Sequence, residues 1–216
     1  MNPTLPLLLA LDTSTSTASV ALFDGERVLS ETTWLAGREH STRLLVEVEL
    51  AFARVGRTAT ELTGLVVAQG PGSFTGVRVA LSVAKGMAAG LALQLWGVSS
   101  LDVLAFAAGA VDLPVRAVLE AGRGRYATGL YQHGRAVQDA RLATLDQLVD
   151  LIETPTLLIG ELSNEARTQL GGHPNARVAA PAACVRRAGY LAELGWRQAQ
   201  TGKRGDAQAL DAVYVS

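Results

Sequence analysis

Asp12, Thr13, Ser14, Thr15, Ser16 and Thr17 form an unbroken polar stretch directly after an apolar run. An acid at the end of a buried strand can organise metal-bound water while the next backbone N–H groups hold phosphate. Asp12, Thr13 and Ser14 are therefore candidate phosphate-loop residues. The stretch has neither the glycine nor the lysine on which phosphate loops rely. Two readings stand: a degenerate phosphate loop, and a polar turn capped by Asp12. Glu120 opens a second polar loop at an equivalent place, and its Gly122, Arg123, Gly124, Arg125 run suits either an anion site or a solvated turn. His40, His133 and His173 never stand four apart, so no pair shares a helix face as a metal would require. Cys184 is the single cysteine, which excludes an internal disulfide and a multi-cysteine zinc site and leaves a buried, inert thiol.

Gly70, Pro71, Gly72, Ser73, Phe74 and Thr75 read as a strand-to-helix turn, rich in residues that tolerate unusual backbone angles. A helix is predicted from Thr75 to Leu91. Gly76, Ala80, Ala84 and Ala88 recur every four residues along it as a ridge of small side chains that another helix could approach closely. Val79, Val83 and Met87 make a neighbouring apolar ridge, and Arg78, Ser82 and Lys85 a polar stripe. The ridge fits either a subunit contact or tight packing on the chain's own sheet.

The elements that must position these residues follow from periodicity. Leu7 to Leu11 reads as a central strand, and Ser19 to Phe23 with Arg27 to Thr33 as a hairpin turning at Asp24-Gly25. Ser41 is expected to cap a helix with Leu44, Leu45, Val48, Phe52 and Val55 inside, Arg43 and Glu47 outside, and Gly56 at its end. With strand Leu65 to Ala68 and the helix after Gly72, the first half reads β-β-β-α-β-α. The order returns after Val115: strands to Leu119, from Tyr126 to Tyr131 and after Gly134, a helix near Leu145 to Ile152, a strand Thr156 to Ile159 and a helix near Asn164 to Leu170. Ala182 to Gln200 reads as an amphipathic closing helix. Such a duplicated unit is the plan of the actin-like ATPases (ASKHA, ribonuclease H-like), an α/β class with halves here at 1–104 and 105–216.

Composition narrows the partners. A formal charge of −1 over 216 residues disfavours an unaided grip on nucleic acid, which relies on a basic surface. No apolar run reaches the ~20 residues of a membrane span. Leu5 to Leu11 lacks the flanks of a secretory signal, so a cytoplasmic protein is expected.

The nonapeptide Gly70 to Arg78 after a buried strand, joined by Leu9 to Thr13 with its hairpin, Arg38-Glu39-His40-Ser41, and Gly97-Val98-Ser99-Ser100-Leu101, resembles the TsaB (YeaZ) family. The resemblance covers roughly the first half closely and the second loosely. There the segment Glu120 to Tyr126 is one residue shorter than the family's, and Ala212 to Ser216 lacks the family's closing proline and arginine. It implies a non-catalytic subunit that binds TsaD, together with the ATPase TsaE, in threonylcarbamoyl transfer to the adenosine at position 37 of tRNA. Through the helix after the glycine-rich turn, Gly76, Arg78, Val79, Ala80, Val83, Ala84, Met87 and Ala88 would contact TsaD, or a second copy when the protein is alone. It also implies that tRNA is met only through the complex, that no metal or cofactor belongs to this chain, and that any ATP or ADP sits at the TsaD contact. The alternative is an enzyme of the same fold, either an ATPase or a glycoprotease-like metallopeptidase.

Overall fold

Leu8–Asp12 (β1) is apolar on both faces because it is the middle strand of a five-stranded sheet. The structure is a computed structural model and describes residues 6–37 and 40–215, with the backbone alone for His40 and Ser41. Arg38, Glu39 and the cap assigned to Ser41 lie outside the described residues. After β1 come β2 (Thr17–Phe23), β3 (Val28–Leu35), α1 (His40–Val55), a 3-10 turn (Ala59–Glu61), β4 (Gly64–Ala68), α2 (Phe74–Leu91), β5 (Gln94–Val98) and α3 (Ser100–Ala107). The strand order is β3-β2-β1-β4-β5, with β2 antiparallel and β4 parallel to β1.

The second half contains β6 (Val115–Glu120), β7 (Arg125–Gln132), β8 (Arg135–Ala136), β9 (Arg141–Thr144), α4 (Leu145–Asp150), β10 (Thr156–Gly160), α5 (Asn164–Gly171) and β11 (Ala176–Val178). Its order is β11-β10-β6-β7-β8, with β9 also on β7, the same permutation as the first sheet. The duplicated actin-like fold is therefore present. Each half has one strand more than expected, because β5 and β11 follow its second helix. Gln94–Val98 lies in no strand expected from the sequence, its last two residues falling in the Gly97 to Leu101 segment that opens the next helix, and β11 has only three residues. The third strand of the second half is split into β8 and β9.

Alternation along the strands builds five layers. Leu9, Leu11, Leu65 and Val67 face α1 and α2, whereas Leu8, Ala10 and Val66 face α6 (Ala188–Gln200). α3 sends Leu101 and Leu104 among Val115, Ala117 and Leu119 of the second sheet, whose other face is covered by α4 and α5. The expected division at 104/105 falls inside α3 (Ser100–Ala107), which packs on the second sheet while α6 packs on the first.

Several residues sit differently from the sequence reading. Leu45 is 51 % exposed, since the buried stripe of α1 runs through Leu44, Val48, Ala51 and Phe52 and Leu45 is turned about 100° from it. Glu47, expected outside, is buried and accepts from Arg43 Nε at 3.1 Å. The closing helix begins only at Ala188, because Pro181–Cys184 form a 3-10 turn and Val185 is extended. Cys184 is buried and free, as expected. Among the described residues no helix is long and apolar enough to cross a membrane.

Candidate functional site

Asp12 ends β1 with both carboxylate oxygens engaged. Oδ1 accepts from the Ser14 N–H at 2.8 Å and the Ser14 hydroxyl at 2.6 Å, so the capped turn is real. Oδ2 accepts from Arg186 Nε at 2.9 Å. Arg186 arrives from the segment ahead of α6 and reaches across the halves, with Nη1 donating to Glu161 Oε1, just past β10, at 2.7 Å. Nη2 donates to the Thr15 hydroxyl at 2.6 Å and the Thr17 carbonyl at 3.2 Å. Thr15 in turn donates to Glu161 Oε1 at 2.5 Å. The Arg186 side chain is 1 % exposed. Burial pulls its pKa down, but the Asp12 and Glu161 charges and hydrogen bonds more than offset this, so the guanidinium is held charged above its ordinary range. A fixed cation thus sits between one carboxylate from each half. The cleft space left beside it is ≈ 280 Å³, below the ~300–1,000 Å³ usual for ligand pockets.

The rest of the loop is bonded to the glycine-rich turn. Thr13 Oγ1 donates to the Gly76 carbonyl at 2.6 Å and accepts from the Ala80 N–H at 3.1 Å. The Ser14 carbonyl accepts from the Ser73 N–H at 2.6 Å, and the Ser100 hydroxyl donates to the Ser14 hydroxyl at 3.0 Å. A Cβ at Gly72 would collide with the Ser14 carbonyl, and one at Gly76 with the Thr13 carbonyl. These glycines are required by the close approach of the loop backbone. Ser73 caps α2, accepting from the Gly76 N–H at 3.3 Å, while Phe74 and Thr75 face outward. The structure therefore brings Asp12, Thr13 and Ser14 together with Gly72, Ser73 and Gly76, in mutual contact.

The small-residue ridge needs correction. Gly76, Ala80, Ala84 and Ala88 are buried and belong to the chain's own core beside Leu9, Leu65 and Val67, so none of them can meet another subunit here. The intramolecular reading holds for these four. The outer side of α2 carries Arg78, Ser82, Gly86, Ala89 and Gly90 exposed, with Val79, Val83, Lys85 and Met87 half-buried. Ser82, Gly86 and Gly90 are themselves four apart, and a Cβ at either glycine would meet nothing within 4 Å. α2 contains no carboxylate, and among the described residues neither Arg78 nor Lys85 forms a salt bridge. α1, packed beside it, adds exposed Leu45, Val46 and Leu50.

Sequence reasoning missed Arg186, Glu161 and Thr15. Arg186 lies 174 residues from Asp12 and looked like one of several cations on an amphipathic segment; the one local signal was its place between Val185 and the Ala188–Leu191 stretch. Glu120 is exposed, and Glu161 faces Asp12 in its stead. Gly122, Arg123 and Gly124 form an exposed turn with positive φ at all three. Among the described residues no histidine, cysteine and carboxylate group could hold a metal.

A family described as "TsaD: tRNA N6-adenosine threonylcarbamoyltransferase" matches residues 34–185. The Bacillus subtilis (strain 168) "tRNA threonylcarbamoyladenosine biosynthesis protein TsaB" is 32% identical over 160 residues, covering 71% of this chain and 70% of that one. The structure of YeaZ from Pseudomonas aeruginosa superposes with a TM-score of 0.81 at 26% identity, over 98% of this chain and 100% of the other. The ADPNP-bound activator of 2-hydroxyisocaproyl-CoA dehydratase from Clostridium difficile shares the fold, with a TM-score of 0.57 at 11% identity over 96% of this chain and 99% of that one. Similarity along both halves, joined to the glycine-rich turn packed on the Asp12 loop, makes this chain a member of the TsaB (YeaZ) family.

Proposed function

We propose that this chain is a non-catalytic partner of TsaD, acting with TsaE, and is required for transfer of the threonylcarbamoyl group to the adenosine at position 37 of tRNA. The observation that carries the reading is the cleft: Asp12, Thr15, Glu161 and Arg186 are bonded to one another where an actin-like ATPase would hold phosphate. Asp12, Thr15 and Arg186 are buried and already use their bonding groups within this network, which leaves Glu161 as its one partly open member. The contact with TsaD uses the outer side of α2, through Val79, Val83 and Met87 with Arg78 at the edge, an apolar strip with a polar border as interfaces require. The same side serves self-pairing when TsaD is absent, through its apolar strip alone, since a second α2 brings no anion to Arg78. Any ATP or ADP belongs at the TsaD contact, and with a formal charge of −1 the tRNA is left to the partner.

The test is reconstitution with TsaD, TsaE, ATP and tRNA, read by nucleoside analysis. The folded Asp12→Asn variant should support modification as well as the wild type, whereas Val83→Arg should melt normally yet neither co-elute with TsaD nor support modification. Turnover of Mg-ATP by the isolated chain, lost in Asp12→Asn, would instead establish an enzyme.

A further inference from the structure

The stretch after α6 has no helix or strand, yet both of its ends are seated by specific contacts. Trp96 Nε1 donates to the Lys203 carbonyl at 2.9 Å, and the Gly205 N–H donates to Gln94 Oε1 at 3.1 Å. The Val213 N–H donates to the Gln69 carbonyl at 2.7 Å. Gly205 lies so close on the Leu95 backbone, and Gly70 so close under the Val213 carbonyl, that a Cβ at either would overlap backbone atoms. Gly70 also has φ +99°, a second reason for glycine there. The segment is thereby led along β5 to the turn ahead of α2.

What it delivers there is Tyr214. Its ring stacks on Phe74, with centroids 5.6 Å apart and planes at 26°, and the Arg78 guanidinium carbon lies 3.6 Å from the Phe74 centroid. The stack is not hidden: Phe74 is 57 % exposed and Tyr214 46 %. Phe74, Arg78, Ser82, Gly86 and Gly90 are successive fourth residues, so one outer ridge of α2 is bulky and cationic at its amino end and narrow at its carboxyl end.

We propose that Tyr214, Phe74 and Arg78 form the anchor by which this chain holds its transferase partner, so that the C-terminal segment is part of the docking surface. The inference rests on the α2 contact proposed above. Tyrosine and arginine are the side chains most enriched where binding energy concentrates, and a stacked pair offers area already ordered before binding. Charge selects the occupant. Arg78 and Lys85 face outward from a helix without a carboxylate, so a second copy's α2 would bring further cations and no anion. The partner is a subunit presenting a carboxylate to Arg78 and an apolar or aromatic side chain to the Phe74–Tyr214 pair.

Calorimetry of the full-length chain with TsaD tests this. Tyr214→Ala should melt like the wild type and bind about 30-fold more weakly. Tyr214→Phe, which keeps the ring, should stay within about threefold, and Arg78→Glu should weaken binding at least as much as Tyr214→Ala. If Val83→Arg abolishes binding but Tyr214→Ala changes it less than twofold, the anchor is wrong and the α2 contact stands. Normal binding by both overturns the contact and the anchor with it. A Tyr214→Ala variant that loses only self-association also overturns the anchor.

Discussion

The cleft and the outer side of α2 are opposites in how their polar and apolar groups are satisfied. In the cleft, Asp12, Thr15, Glu161 and Arg186 are bonded to one another, and the guanidinium is almost wholly removed from water. On α2, some 18 residues without a carboxylate leave Arg78 and Lys85 with no salt bridge among the described residues and alternate apolar side chains with bare glycine. A buried network that is fully bonded rigidifies what it joins. An exposed face with unmatched groups gains by being covered. The difference teaches that this fold uses its buried polar groups to join its halves and leaves its unmatched groups on the surface.

Removing the cation should break that contrast most severely. Arg186→Ala leaves two carboxylates facing each other without a counter-charge, and truncating one member of a buried ionic network costs about 3–5 kcal/mol. Urea unfolding would read the loss; Arg186→Lys should recover part of it, because an ammonium cannot serve all four acceptors at once. An Arg186→Ala variant as stable as the wild type would mean the cleft is not held by this bridge. Next in size is Gly76→Ala, whose methyl meets the Thr13 carbonyl and should destabilise by about 1–3 kcal/mol in the same assay. Thr13→Val keeps the shape but loses both hydrogen bonds to α2, for about 1–2 kcal/mol.

What could be read in advance follows from how local each signal is. β1, the Asp24-Gly25 hairpin and the Gly70 to Thr75 turn depend on adjacent residues, and all were legible. Duplication was legible too, because element order survives when residue identity does not; β5 was missed because Gln94 and Gly97 interrupt its apolar run, and β11 because it has only three residues. The two small ridges of α2 show the limit most clearly. Gly76, Ala80, Ala84, Ala88 and Ser82, Gly86, Gly90 have the same four-residue spacing, and only the position of the sheet decides which is inside. Arg186 could not be assigned from its neighbours: it and Arg187 are adjacent, yet one is buried between Asp12 and Glu161 and the other is exposed beside Glu31.

That pair of ridges also gives the mildest and most discriminating substitution. Gly86 is helical, exposed and open around its missing side chain, so Gly86→Ala should stabilise the isolated chain by about 0.5–1 kcal/mol through reduced backbone freedom in the unfolded state. If a partner helix lies against Ser82, Gly86 and Gly90, the same methyl holds it away, and affinity for TsaD should fall several-fold. Thermal melting and calorimetry on one variant would therefore move in opposite directions. No loss of folding can produce that result, since the fold has become more stable. If affinity and stability rise together, the partner sits on α1 or elsewhere, and the outer ridge of α2 is only a solvated face.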